Sequence, residues 1–523
     1  MQRISKYLGD FMVFLVAFAL FLQTLVANFS GPHDAINYLN GIVNGRDLFH
    51  QHHLLYHASA HVWYLWWSKI FSGVESFYLV ESFTAFFGAL NVWILYRIFR
   101  DRFQVSLLHN IVFLLVIVFT YGMWLYSTNV EVYAPPIFFL LCTLYFLSNN
   151  NIRKDIVWIA LFHSLAILYH QVHIIFAIVV LWKLVQQKSL KTFFVYAGIG
   201  TILVGTVYLS IGYFVEGNHT TEDMWKWLSG YTNSDFYWQT PGLEMLVKVF
   251  TGFTHAYIGG HFVFQLQPVQ DLLKDYTGHS LADEMYLVRN MPSSIAVILS
   301  ALCIFFAFLF VYLNVQLVKN FKKINIARRE VIYPFLIATV CYSIFFCFWM
   351  PEILEFWIFQ TITIWIILLG SAHLYGFFKK KIHTYLVYAL VITLFSINWW
   401  GSMKYMRDLN NDLYYVQVKQ LDRHLTENTL AVFQDGWILK DFIDYFTPAD
   451  IIVSPQDSVS HITVDAAIQQ AISTGKQLLV FPEKNNYGLV QSTHYLDSLL
   501  LQYQSQWTII NEAKPRVLLL KTP

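Results

Sequence analysis

Charge is scarce in this chain of 523 residues. Only 13% of its side chains are Asp, Glu, Lys or Arg, where a soluble protein carries about 25%. So few charges cannot cover the surface of a soluble fold of this size. Cysteine is rarer still: Cys142, Cys303, Cys341 and Cys347 all lie inside apolar runs, so no loop disulfide framework is built. No basic stripe is interleaved with aromatics, and a net charge of +1 gives no reason to expect a nucleic-acid partner. A Gly-rich phosphate loop is missing from the C-terminal part, where Asp435-Gly436-Trp437 reads only as a turn. Short-period repeats are absent as well. Together these absences exclude a soluble enzyme, a disulfide-stapled secreted domain and a nucleic-acid binder.

What fills the space is apolar and aromatic. Hydrophobic residues make up 56% of the chain, with 46 Phe, 32 Tyr and 17 Trp. Tyr and Trp favour the membrane–water interface. Apolar runs span 11–27, 77–98, 107–125, 132–148, 156–169, 172–185, 193–214, 293–318, 331–349, 356–377 and 383–400. Their lengths approach what an apolar membrane core of roughly 30 Å requires. The fold class expected is a mainly α, polytopic membrane protein of about eleven transmembrane helices. Runs 156–169 and 172–185 are short. They read either as two tilted half-length helices joined near Tyr169-His170-Gln171, or as one long kinked helix plus an interfacial piece. Arg3 and Lys6 precede run 11–27, and no small-x-small cleavage site follows it, so it is expected to be a retained first helix.

The positive-inside rule sets the orientation. With the N-terminus inside, eighteen Lys and Arg fall in inner loops, including Arg97, Arg100, Arg102 and Lys379–Lys381. Six fall in the longer outer loops: Arg46, Lys69, Lys226, Lys248, Lys274 and Arg289. The expected topology is N-in and C-out, in a bacterial inner membrane. Residues 1–400 form the expected transmembrane domain, with outer loops 28–76 and 215–292. Within the first loop, His57–Phe71 reads as an interfacial amphipathic helix. Residues 401–523 form a small extracytoplasmic α/β domain. Its strands are expected at Leu430–Gln434, Ile451–Ser454, Gln477–Phe481 and Val517–Lys521, and its helices near Ile438–Phe446, Val464–Thr474 and His494–Tyr503.

The residues that could carry chemistry gather at outer helix ends. The first loop reads Gly31-Pro32-His33-Asp34-Ala35, and later Asn44-Gly45-Arg46-Asp47 before His50-Gln51-His52-His53 and His57. Two further acidic-aromatic stretches are Glu131-Val132-Tyr133-Ala134-Pro135 and Trp349-Met350-Pro351-Glu352-Ile353-Leu354-Glu355-Phe356-Trp357. This arrangement resembles the GT-C superfamily of membrane glycosyltransferases, which includes protein O-mannosyltransferases and bacterial aminoarabinose transferases. The shared features are an acid just past the first helix, a polar-aromatic turn, an interfacial helix and an acidic-aromatic pair at the fourth helix. The layout covers nearly the whole chain, and the motifs about thirty residues. Asp34 stands alone, between His33 and Ala35, where the family carries a paired acidic dipeptide.

The resemblance implies sugar transfer from a polyprenyl-phosphate donor, with Asp34 as the catalytic, acceptor-side carboxylate. Glu131, His53, Arg289 and Glu355 are the expected substrate contacts. The acceptor (protein, lipid or glycan) stays open, and no cofactor is assigned. Elementary chemistry agrees, because the reaction needs a base at the hydroxyl and cationic or hydrogen-bonding groups around the departing phosphate.

Each residue also has a plainer role. Asp34 can cap the helix expected from Ala35, Asp47 can serve a turn, and Glu131 can complement a helix N-terminus. The crowded histidines suit a divalent metal, a sugar or headgroup, or interfacial packing. His170 and His173 suit the broken backbone between the two short runs. Two other function classes compete: a transporter or flippase of lipid-linked sugars, and a non-enzymatic membrane assembly protein.

Overall fold

A computed structural model gives the arrangement. It describes all residues except 1, 150, 274–280, 435–436, 455–457, 484–494, 503–505, 512–514 and 521–523. The turn expected at Asp435-Gly436 and the end residues His494 and Tyr503 of one expected helix therefore lie outside the described residues.

Each of the eleven apolar runs lies mainly on helix. Among the described residues, six helices are long and apolar enough to cross a membrane: Ser76–Arg102, Leu190–Phe214, Ser293–Lys323, Ile326–Phe346, Leu354–Leu374 and Lys381–Met406. Shorter apolar helices cover Leu8–Gln23, Leu107–Val118, Ala134–Leu147, Ile156–Tyr169 and Gln171–Gln187. The chain is a multi-pass membrane protein. Run 107–125 is divided at Phe119-Thr120, and a separate short helix follows at Tyr121–Leu125. Pro135 and Pro136 sit in the first turn of Ala134–Leu147, where a missing N–H leaves no bond unmade. The two short runs are joined through His170, which is extended at φ −158° and ψ 115°. A 3-10 turn, Gln171–Phe176, leads from it into the next helix.

The chain divides into two compact units. The larger comprises Met1–Ala27, Gly41–Thr277 and Leu287–Asp408. Within it, the helix Ser76–Arg97 packs against Gln2–Gln23, Tyr56–Ser68 and Ala134–Leu147. It is buried around most of its circumference, as an apolar-all-round helix should be. Gly88 makes close approach possible there, since a Cβ would sit 2.6 Å from Ser127 Cβ. Leu190–Phe214 and Ser293–Lys323, by contrast, leave most of their apolar surface outside, which is the character of lipid-facing helices.

The second unit comprises Asn28–Asn40, Gly278–Tyr286 and Leu409–Pro523. The tail thus forms a unit with part of the first long loop and the end of the second. Its sheet has strands β1 (Thr429–Phe433), β2 (Asp450–Val453), β3 (Gln477–Phe481), β4 (Trp507–Asn511) and β5 (Val517–Leu520). Their spatial order is β2-β1-β3-β5-β4. β1 pairs in parallel with β2 and β3, while β5 runs antiparallel to β3 and β4. Helices Trp437–Phe446 and Ser458–Ser473 make the parallel crossovers, which hairpin turns could not. Val432, Ile468, Leu478, Val480 and Leu496 form the core on one face. The sequence reading located four strands and missed β4, a half-exposed edge strand without a continuous buried face to mark it.

Asp412 ties the first loop into this unit. Its Oδ2 accepts the N–H groups of Phe29 at 2.8 Å and Ser30 at 3.0 Å. Its Oδ1 caps the helix Leu413–Leu421 by accepting from Tyr414 and Tyr415. Asn40 donates to the Asp441 carbonyl at 2.9 Å.

Candidate functional site

Two groups of polar residues stand out, one in each unit. In the larger unit, the tight turn between Tyr121–Leu125 and Ala134–Leu147 carries Glu131, which is almost wholly buried. Thr128 holds that turn by donating to the Trp124 carbonyl at 2.9 Å, and its own carbonyl accepts from Val26 N–H. Tyr126 and Tyr133 leave the same turn and donate to the two carboxylate oxygens of Glu355, at 3.0 and 2.7 Å. Burial, then the charges of Glu355 and Glu131, raise the Tyr126 phenol well above its ordinary range. Tyr126 therefore stays a neutral donor. Tyr56 lies near Glu131, buried, with its hydroxyl 3.2 Å from that of Thr84.

The histidines continue this group. Tyr133 packs on the His170 ring at 5.4 Å, and His170 lies 6.5 Å from His53. His53 stacks on His50 at 4.3 Å and meets His57 edge-on at 4.9 Å. The loop carrying them is anchored by Gln171, whose Oε1 accepts from His52 and whose N–H donates to the His52 carbonyl. Burial, reinforced by the neighbouring imidazoles, lowers His50 to about 3 and His53 well below its ordinary value. They are neutral imidazoles, suited to hydrogen bonding and stacking rather than to charge pairing. Among the described residues, no group of three or more His, Cys, Asp or Glu could hold a metal ion. His170 and His163 serve the broken backbone: His170 accepts from Val172 N–H, and His163 donates to the His173 carbonyl.

His53, Glu131 and Glu355, three of the expected substrate contacts, thus fall in one group of polar residues. Arg289 lies exposed in turn 288–290. Asp34 belongs to the second unit.

Glu81 was missed. It is fully buried on Ser76–Arg97, and neither carboxylate oxygen has a hydrogen-bond partner among the described residues. It lies near enough to Tyr56 to act on that phenol, as Glu131 does. A lone acid inside an apolar run was the available signal, because such residues usually mark function. An unsatisfied buried carboxyl costs about 1–3 kcal/mol. Glu81→Leu is accordingly expected to raise the thermal midpoint by several degrees, corresponding to about 2 kcal/mol. A fall in the midpoint would mean that Glu81 is held by a stabilising partner.

In the second unit, Asp34 precedes the helix Ala35–Asn44. Its exposed carboxylate accepts from the Tyr38 hydroxyl at 3.2 Å. Among the described residues it takes no backbone N–H of that helix, so the helix start is where the sequence put it but the side-chain cap is not made. Desolvation by its surroundings raises the Asp34 pKa, against the pull of Tyr38 and His33. His33 lies 3.7 Å from Asp283. Burial would lower its pKa, but the bond to Asp283 and the charges of Asp283, Asp34 and Glu284 raise it overall. Burial and then Asp283 push Glu284 up to about 7.

A folded-state pKa above the unfolded one means that folding favours the protonated form. The stability from Glu284 is complete below about 4.5 and is lost as pH rises through about 7. Unfolding followed between pH 5 and 8 should show this unit losing on the order of 2 kcal/mol, after allowance for partial exposure. Glu284→Gln should flatten that slope, and an unchanged slope would count against the shift.

No family model matches the sequence, and no curated protein matches it. Solved structures do. The chain aligns over 98% of its length with 98% of ArnT from Cupriavidus metallidurans bound to undecaprenyl phosphate, at TM-score 0.57 and 9% identity. It has the ArnT fold. The apo state of the same protein gives TM-score 0.46 at 10% identity, over 99% of this chain and 98% of that one. The GT-C resemblance read from the sequence is therefore matched at the level of fold. At such identity the likeness assigns no residue its role.

Proposed function

We propose that this chain is a GT-C-type glycosyltransferase that moves a sugar from a polyprenyl-phosphate donor to an acceptor. The acceptor side is taken to be extracytoplasmic, in a bacterial inner membrane. The observation carrying this reading is the cluster of buried Glu131, phenol-clamped Glu355 and neutral histidines at the ends of apolar helices, within a fold shared with a protein solved with undecaprenyl phosphate. Neutral imidazoles and phenols are suitable partners for sugar hydroxyls, and apolar helices are suitable partners for a lipid tail.

In the proposed reaction the acceptor hydroxyl oxygen attacks the anomeric carbon as the bond from that carbon to phosphate breaks. The hydroxyl proton passes to a carboxylate, and polyprenyl phosphate leaves with the bonding electrons. Asp34 is the proposed base, and its raised pKa makes it a stronger one. Glu131, His53, Glu355 and Arg289 are the proposed sugar and phosphate contacts.

The test is transfer of labelled sugar by the purified protein from a panel of polyprenyl-phosphate sugars into membrane extract, with and without a chelator. Transfer from one donor class supports the reading, and loss on chelation would add a divalent ion to it. No transfer from any donor, with the protein folded, would overturn it. Glu81 favours one other reading, a flippase of lipid-linked sugar, because transporters carry ionisable residues inside the membrane. Movement of donor across vesicles without transfer would select it.

A further inference from the structure

A second feature of the larger unit lies away from the acidic and histidine cluster. It is a cavity of about 410 Å³ near the ends of Ser76–Arg102 and Ala134–Leu147, bordered also by Ile156–Tyr169. Its wall is apolar and aromatic, with Trp93, Phe138, Phe146 and Phe162. Its polar side is cationic. Arg97 and Arg102 both lie over the ring of Tyr145, with guanidinium carbons 4.9 and 4.0 Å from its centroid. Arg97 also donates to the Tyr145 hydroxyl at 3.0 Å, and Arg102 Nε to the Tyr145 carbonyl at 2.9 Å.

The acids nearby are already engaged. Asp10 and Asp101 pair with Arg100, and Asp101 also approaches Arg97 at 3.6 Å. Tyr145 donates to Asp101 as well. Asp155, the remaining acid near Arg102, accepts from Asn149. Among the described residues Arg102 makes no salt bridge, and its two terminal nitrogens have no acceptor. A half-buried guanidinium, fixed through Nε with its outer fork free, presents the geometry that binds a phosphate through two parallel hydrogen bonds. Beside an aromatic wall on helices of membrane-spanning character, that fork faces one chemical class, a phosphate attached to a hydrocarbon chain.

We infer that this cavity binds an anionic membrane lipid, with the lipid phosphate on Arg102 and Arg97 and the chain along Trp93, Phe138, Phe146 and Phe162. It is a binding site distinct from the proposed transfer site and does not depend on that reaction. Its role is to fasten the arginine-bearing ends of these helices to the lipid headgroup layer.

The test is native mass spectrometry and thermal unfolding of the delipidated, detergent-solubilised full chain. The added probes are phosphatidylglycerol, phosphatidylcholine, undecaprenyl phosphate and inorganic phosphate. Phosphatidylglycerol should bind at least tenfold more tightly than phosphatidylcholine and raise the midpoint by several degrees. Inorganic phosphate at the same concentration should do neither. Arg102→Gln should remove the preference. If that variant does not fold, Arg102→Lys keeps the charge without the fork and should bind severalfold more weakly. Equal binding of anionic and zwitterionic lipid, an equal response to inorganic phosphate, or a preference unchanged in Arg102→Lys would each overturn the proposal. Undecaprenyl phosphate outcompeting phosphatidylglycerol tenfold would overturn the assignment to general anionic lipid.

Discussion

Asp34→Asn is expected to lower transfer by a factor of about 10² to 10⁴ while leaving the fold intact. That range is what a positioned general base contributes, and it corresponds to about 3–5 kcal/mol of activation free energy. The substitution is nearly isosteric, and the amide oxygen can still accept from Tyr38, so the start of Ala35–Asn44 should be unaffected. What disappears is the capacity to take a proton. The loss should fall on turnover and leave the donor KM within a few fold. In the wild type, transfer should rise with pH as Asp34 ionises. Desolvation raises the Asp34 pKa, which moves that limb upward in pH. A variant retaining a third of wild-type turnover would take the base role from Asp34, and Glu131→Gln would then be measured next.

Asp412→Ala should be the most damaging single change to stability. Four backbone N–H groups share its two oxygens. Truncation removes the acceptor that Asp412 gives the buried Phe29 and Ser30 N–H groups. Each such loss costs about 1–3 kcal/mol, and removing the N-cap of Leu413–Leu421 adds about 1 kcal/mol. A total of about 4 kcal/mol is expected, read as a lower unfolding midpoint and faster proteolysis in the tail. Asp412→Asn is also expected to destabilise. Its amide nitrogen would point a donor at two of the four N–H groups, so only one oxygen remains useful. A loss below 1 kcal/mol for Asp412→Ala would mean that the loop is held by other contacts.

These two carboxylates differ in how much of their setting a sequence can show. Asp34 draws attention in the sequence because it lies in a short polar segment just after an apolar run. Asp412 lies in a polar stretch, Asn410-Asn411-Asp412, that reads as an ordinary cap, and half its partners are more than 380 residues away in the chain. Glu81 had a local signal, a lone acid in an apolar run. Its meaning still depends on whether that helix face meets lipid or protein, which periodicity does not reveal when apolar residues surround the helix.

The sequence by itself determined that the chain enters a membrane, where its apolar helices lie, and that a small α/β segment closes it. Those properties follow from composition and local periodicity, which act within one helix or strand. Only the tertiary structure decided that residues 28–40 join the tail's unit rather than the helices, and that His53, Glu131 and Glu355 fall in one group of polar residues. It also decided that Arg102 keeps an open fork beside an aromatic wall. Each of these is a contact between residues distant in sequence, set by which side chains the packed helices bring within hydrogen-bond range.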